Sequence, residues 1–314
     1  MIPKVFILSS LYDFSADLVC LQLNKLEVPF TRINKEQFID YRFEFDPINS
    51  ILDIKGLGLH ATICEELVSV WFRQPVFLRN TPAKPLSPSM QLQKSQWMGF
   101  LRSIAVFNKA AWMNFPQATY IAECKPYQLS LAIKCGFSVP STLVTNSADA
   151  VKKTFNSQFI IKSLDTVLLT EGEDCLFTYT TASNDLKLTD STVSSAPLLA
   201  QEYLINKKDI RVTVIGNKLN AVYILSGEEG IEGDWRVIPR EELNFISFDL
   251  PSEIRSACIK LVEELGLSFG AIDLIETQNG FHFIEINPTG EWAWLTDESR
   301  SFDKDIASWL AGAR

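Results

Sequence analysis

The sequence predicts a mixed fold, α/β at its start and α+β beyond, and three observations carry that expectation. Residues 4–34 run strand, helix, strand, the order that lays down a parallel sheet. Residues 210–223 and 270–287 each read as an antiparallel hairpin whose side chains alternate between two faces. Between them, Ser252 to Gly266 carries Ile254, Ala257, Cys258, Leu261, Val262 and Leu265 on one stripe and closes on glycine, the pattern of an amphipathic helix.

Composition sets the outer bounds. A chain of 314 residues, 46% hydrophobic and 21% charged, can bury a large core and fill two or three domains. A net charge of −9 argues against nucleic acid or an anionic membrane as the main partner. Six cysteines (Cys20, Cys64, Cys124, Cys135, Cys175, Cys258) form no CxxC pair, and His60 and His282 are the two histidines, so free buried thiols are expected rather than zinc. No stretch approaches the ~18 apolar residues of a membrane span, and the N-terminus has no small-residue cleavage pattern. A cytoplasmic location is expected.

The elements follow in order. Val5 to Leu8 is a strand, Ser15 or Asp17 begins a helix carrying Leu18, Leu21 and Leu26, and Val28 to Ile33 returns as a second strand. GLGLH at 56–60 has too few glycines for a dinucleotide loop and reads as a turn. Val70 to Arg73 is a buried strand that delivers an arginine, best read as salt-bridged at a domain edge. TPAKPLSPS at 81–89 is a loop, and a helix over Met90 to Phe107 places Trp97, Leu101, Ile104 and Ala105 on one stripe. A domain boundary is placed at Trp112 to Pro116.

Pro126 suits the first turn of the next helix, Leu129, Ala132 and Ile133 share its inner face, and Gly136 ends it. Lys125 therefore stands at a helix N-terminus, where backbone N–H groups favour an anion. After a helix near Ser147 to Phe155, Lys162 interrupts the apolar strand QFIIK and needs either a phosphate partner or an edge position from which to reach solvent. Leu198 to Leu204 reads as a strand and hinge. Arg211 alternates with Ile210 and Val212 and so points away from the core, GNK turns, and Leu219, Ala221 and Tyr223 return. Trp235 and Arg236 follow the acidic glycine-rich stretch GEEGIEGD, and ASWLAGAR closes as a short helix.

The stretch with the most chemistry is GAIDLIETQNGFHFIEINPTGEW, 270–292. On a regular second strand Phe281, Phe283, Glu285 and Asn287 share one side, and His282, Ile284 and Ile286 the other. A two-residue Asn279-Gly280 turn would oppose Asp273 to Ile286. A three-residue loop, Gln278-Asn279-Gly280 with Gly280 left-handed, sets Asp273 across from Glu285. The second is expected, because two carboxylates and an amide oxygen make a poor core but a good site for Mg²⁺. An exposed acidic edge hairpin is the plainer alternative.

Asp273, then Glu285 and Asn287, followed by Pro288, resembles the metal-binding end of the ATP-grasp ligases. EINPTGEWAWL, the WFR of VWFRQP, and the run from WMNFP through AECKPYQLSLAIKCGFSVPST are similar to the ATP-grasp peptide ligases that make graspetides, the microviridin-type crosslinked peptides. The resemblance covers about 112–295 well and 1–111 more loosely. It implies an ATP-grasp fold with an N-terminal pre-ATP-grasp α/β domain at 1–111, a central lobe at 112–196 and a C-terminal lobe with the metal site at 197–314. It further implies Lys125 and Lys162 on the ATP phosphates, Gln201, Glu202 and Tyr203 at the adenine edge, and Asp209 on ribose or substrate. Asp273, Glu285 and Asn287 would hold Mg²⁺, and Arg236 and Arg211 would serve the chemistry.

Many ATP-grasp enzymes carry a glycine-rich loop after the second lysine; here SLDTVLLTEGEDCLFTYT has Gly172 alone. The chemistry implied is ATP-dependent carboxylate activation on a ribosomal precursor peptide, leader plus core. Its Asp or Glu side chain is joined to Ser or Thr as an ester or to Lys as an amide. The alternatives are a tail ligase that adds amino acids to a protein, and an ATP-dependent binding module without ligase activity. A homodimer is compatible with either enzyme.

Overall fold

Val5–Ser9 (β1) is buried along its whole length, as a strand covered on both faces must be. In this computed structural model, residues 1–73, 86–165, 168–171, 174–177, 180–185 and 188–314 are described. The helix Phe14–Lys25 (α1) is capped by Asp13, whose carboxylate accepts from the Ala16 N–H at 3.1 Å, not by Ser15 or Asp17. Ala16, Val19 and Leu23 face inward; Leu18 only packs against that core, and Leu21 and Leu26 are exposed. Phe30–Asn34 (β2) returns parallel to β1.

A three-stranded antiparallel sheet follows: Arg42–Asp46 (β3), Ile51–Gly56 (β4) and Leu59–Ile63 (β5). Leu57 and Gly58, both at positive φ, make the turn expected of GLGLH. Ser69–Phe72 (β6) then pairs with β1. The next helix is Pro88–Ser103 (α2), shorter than Met90 to Phe107, because 104–106 tightens into a 3₁₀ turn. Of the Pro/Ser loop, residues 81–85 lie outside the described residues. Ala111–Met113 (β7) completes a parallel sheet in the order β2-β1-β6-β7.

Phe6 and Leu8 on one face of that sheet pack with Leu52, Ile54 and Leu101. Val5 and Ile7 on the other pack with α1 and with Trp292, Phe302 and Leu310 from the far end of the chain.

Pro116–Ala122 (α3) leads to Lys125–Cys135 (α4), which ends on left-handed Gly136 as expected. Its inner face uses Leu129, Leu131 and Ala132; Ile133 is exposed. Thr142–Thr145 (β8), Ala148–Thr154 (α5) capped by Ser147, and Phe159–Lys162 (β9) come next. The backbone of Leu168–Glu171 (β10) pairs with Asp174–Phe177 (β11), and Gly172 lies outside the described residues. Thr181–Ala182 (β12), Asp190–Val193 (α6) and Leu198–Glu202 (β13) complete an antiparallel sheet, β12-β9-β13-β8. β9 is interior there, so Lys162 is no edge lysine.

The last sheet is antiparallel, from Lys208–Ile215 (β14), Lys218–Ser226 (β15) and Leu243–Phe248 (β16), then, after the helix Ser252–Glu264 (α7), Phe269–Thr277 (β17) and Gly280–Asn287 (β18). Its order is β16-β15-β14-β17-β18. Ile210, Val212, Val214, Ala221, Ile272 and Leu274 face α4 and α7 in one core. Phe302–Leu310 (α8) closes the chain against α1.

The β17–β18 hairpin corrects the expectation in detail while keeping its result. The turn is Gln278-Asn279, with Thr277 paired to Gly280, so neither loop considered from the sequence is used. That turn sets Leu274 opposite Phe283, and a bulge at Ile284 then shifts the register so that Asp273 faces Glu285. Strict alternation fails at the bulge: Phe281, Phe283 and Ile286 all join the core. The thiols also differ from expectation. Cys20, Cys64, Cys124, Cys135 and Cys258 are free, but of these only Cys135 and Cys258 are buried, and Cys124 is exposed. Among the described residues, no helix is long and apolar enough to cross a membrane.

Candidate active site

The sheet face turned away from α4 and α7 carries every second residue of β14 and β17, which places Asp209, Arg211 and Asp273 together. These residues form the floor of an open cleft of about 1060 Å³. Its walls are Lys125 from the start of α4, Lys162 from the end of β9, Gln201 to Leu204 from the end of β13 onward, and Asp234 with Arg236 from a 3₁₀ turn. All the site residues expected from the sequence line this cleft except Asn287, which adjoins it through Glu285.

Charges are paired across the floor. Arg211 stands opposite Asp273 in the strand register, with Nε 2.8 Å from Oδ1 in an ion pair lacking hydrogen-bond alignment. Lys125 Nζ lies 3.8 Å from Glu285 Oε2, and the Asn287 amide donates to Glu285 Oε1 at 3.3 Å. Lys162 donates to Gln201 Oε1 at 3.0 Å, and Gln201 in turn donates to Thr142 Oγ1 at 2.9 Å. Arg236 grips Asp234 through Nε and a terminal nitrogen, at 2.8 and 2.7 Å. Lys207, buried and unassigned from the sequence, donates to Asp209.

At the hinge, the Glu202 N–H donates to Ser141 O at 2.8 Å and the Tyr203 N–H to Gln158 O at 3.2 Å. Those two donors are therefore committed to the fold. Leu204 also lines the cleft, and among the described residues its N–H has no partner.

Burial dominates the titration of the floor. It pushes the Asp273 carboxyl up to about 6, against the pull of Arg211. Burial also acts upward on Glu285, but Lys125, Lys162 and Arg236 outweigh it and hold that carboxyl below the usual range. The Lys162 ammonium is pushed down by burial, with Glu285 opposing. A folded pKa raised above 3.8 means that native Asp273 holds its proton more tightly than the unfolded chain does. Its contribution to stability therefore falls as pH rises from about 4 to about 6. The lowered Glu285 has the opposite sign, and its contribution is complete above the ordinary 4.5. Denaturant melts near pH 4.5 and 6.5 check the first effect: Asp273→Asn should remove that loss between the two.

Two carboxylates and an amide fall short of a self-sufficient metal cage, and among the described residues no three His, Cys, Asp or Glu side chains cluster. Mg²⁺ suits such a set, since it binds through one or two carboxylates and completes its shell with water and substrate phosphates. The donor chemistry fits that ion, which Asp273, Glu285 and Asn287, the last hydrogen-bonded to Glu285, could hold.

Sequence reasoning missed four side chains that shape the site. Lys207 and Asp234 each sit two residues before a named site residue, a spacing that could have exposed them. Asn114 and Gln128 carry no such signal, because the strand-end groups they bond, at residues 268–269, 286 and 288, are more than 150 residues away. Buried Asn114 donates to Phe269 O and Pro288 O, both at 2.8 Å, and accepts from the Ser268 and Phe269 N–H groups at 2.7 and 2.9 Å. It ties the start of β17 to the exit of β18. Asn114→Ala leaves those groups unpaired and is expected to cost about 2–4 kcal/mol in denaturant melts. Arg73 is buried and salt-bridged, as expected: it donates to Thr289 O at 2.6 Å and pairs with Asp13 and Glu291.

Cations on three walls around two carboxylates on the floor can hold a polyphosphate and a divalent cation side by side. The fold and the cleft together define a nucleotide-dependent enzyme of the ATP-grasp type. Residues 123–311 match the RimK-like ATP-grasp domain, and the chain belongs to that family.

Among solved structures, the chain is similar to a RiPP-associated ATP-grasp ligase of Chryseobacterium gregarium in complex with ADP and a leader and core peptide. That match has 26% identity and a TM-score of 0.84, over 99% of this chain and 97% of the other. It also shares the fold of the macrocyclase MdnC of Microcystis aeruginosa MRC, bound with precursor peptide MdnA, at 21% identity and a TM-score of 0.84, over 99% and 100%. A probable alpha-L-glutamate ligase of Saccharophagus degradans is 25% identical over 186 residues, which span 57% of this chain and 59% of that protein.

Proposed function

We propose that this chain is an ATP-dependent peptide ligase. It activates Asp or Glu side chains of a ribosomal precursor peptide and joins them to Ser or Thr as esters, or to Lys as amides. The observation that carries this reading is the pairing of Asp273 with Glu285 on a floor ringed by Lys125, Lys162 and Arg236. The full-length likeness to a ligase that holds ADP with leader and core peptides supports it.

Lys125 and Lys162 neutralise phosphate charge, and the hinge from Gln201 to Leu204 receives the base. Asp209, held by Lys207, faces the ribose or the peptide. Arg236, fixed by Asp234, and Arg211 offset the charge that develops as a peptide carboxylate oxygen takes the γ-phosphoryl group and ADP leaves. Asp273, Glu285 and Asn287 would hold Mg²⁺, which when bound would supply further neutralisation of the phosphate charge. A hydroxyl or amine of the same peptide then attacks the acyl phosphate carbonyl and phosphate departs, so each link removes the elements of one water.

The likeness to a probable glutamate ligase favours one second reading, a tail ligase that adds amino acids to a protein. Mass spectrometry after incubation with ATP, Mg²⁺ and a Thr/Ser- and Asp/Glu-rich peptide encoded beside the gene separates the two. Loss of one water per link supports the proposal, and gain of amino-acid residues supports the tail ligase. Absence of peptide-dependent ADP release would leave only a nucleotide-binding module. A cytoplasmic location, where ATP is supplied, a homodimer, and domain bounds at 1–111, 112–196 and 197–314 belong to the same proposal.

A further inference from the structure

β18 is an edge strand, and its outer edge is where the floor is least constrained. The bulge at Ile284 interrupts the ladder to β17 immediately before Glu285. A bulged edge strand can shift register or twist, and either motion would turn Glu285 and Asn287 off the floor. Two groups cover that edge. The Ser138 carbonyl accepts from the Phe283 N–H at 2.9 Å, ahead of the bulge. Beyond it, the Gln128 side chain takes both backbone groups of Ile286, the residue between Glu285 and Asn287. Its Nε2 donates to Ile286 O at 2.8 Å, and its Oε1 accepts from Ile286 N at 3.1 Å. A second proton of Nε2 reaches Ala122 O at 2.5 Å, so both amide protons are used and the side chain is buried.

We infer that Gln128 is a positioning residue for the metal-facing carboxylate: its amide stands in for a missing neighbouring strand and fixes the pitch of β18 where the ladder has failed. The same helix, α4, carries Lys125 at its first residue, 3.8 Å from Glu285. Gln128 thus locks the phosphate lysine and the metal carboxylate into one frame. Side chains that orient metal ligands from behind characteristically change metal affinity when removed. The inference rests on the ligase reading only in taking Glu285 and Asn287 as Mg²⁺ ligands.

The test is ADP binding by titration calorimetry, with Mg²⁺ and with a chelator, for the wild type, Gln128→Met and Leu131→Ala. Leu131 is buried on the same helix in the same core and serves as a packing control. Gln128→Met should weaken ADP binding by about tenfold or more with Mg²⁺, and by under about threefold without it. Leu131→Ala should leave both affinities near those of the wild type, however far its melting point falls. Gln128→Asn retains the amide one methylene short and should fall between wild type and Gln128→Met; it is the variant to measure if Gln128→Met does not fold. Equal weakening with and without Mg²⁺, or no weakening at all, overturns the inference. A wild-type protein whose ADP binding ignores Mg²⁺ would instead sink the metal site itself and the ligase reading with it.

Discussion

Glu285→Gln is expected to abolish ligation, with a fall of about 10³-fold or more, in a protein that remains folded. The substitution is isosteric and keeps an oxygen for the Asn287 amide, so that hydrogen bond can persist while the ion pair with Lys125 is lost. What it removes is a negative charge that Lys125, Lys162 and Arg236 act upon. Two measurements should therefore move apart. Turnover with ATP and Mg²⁺ disappears, whereas ADP affinity in the presence of a chelator holds or rises, because the cations on the walls are left less compensated. Asp273→Asn should silence turnover as well. Near-normal rates in both variants would remove the metal assignment.

Lys162→Met should have the next largest effect, lowering kcat by about 10²–10³-fold. The methionine keeps the apolar stem inside the sheet, so the loss is one of charge rather than packing. Without nucleotide the ammonium rests on Gln201 Oε1, a neutral acceptor, while Arg236 and Lys125 repel it. An incoming phosphate is a better partner than that amide, which is the physical reason to expect the lysine to move onto the ligand. Lys162→Arg should rescue little, because a planar fork is a different shape from a compact ammonium in an interior strand. Steady-state rates at saturating ATP, with ADP affinities measured alongside, check both points; wild-type kcat in Lys162→Met would show that the lysine is not part of the chemistry.

The parts of this molecule that were legible in the sequence were those set by short-range pattern. The βαβ start, the stripe of α7 and the closing glycine of α4 depend on neighbours within a few turns. Arg73 was readable as a strand end from the apolar run before it, although its partners Asp13 and Glu291 lie far along the chain. The opposition of Asp273 and Glu285 was anticipated, but through a loop the hairpin does not use, because a bulge leaves no mark in an alternating apolar strand. The sequence pattern did not single out the inner face of α1, which Ala16, Val19 and Leu23 supply. Ala16 and Val19 fit against the sheet, and Leu21 is left in solvent. Nothing local announces that Asn114 or Gln128 will bond to backbone on a strand more than 150 residues away. The committed amides of Glu202 and Tyr203 likewise depend on how β8 and β9 flank the hinge strand.

The core shared by β1, α1, Trp292 and α8 has a consequence for synthesis. As the polypeptide emerges from the ribosome, Val5 and Ile7 have no finished cover until residues 302–310 are made. The first βαβ unit must therefore wait, half-sealed, through translation of nearly the entire chain, and that is the period in which it is open to aggregation or to chaperones.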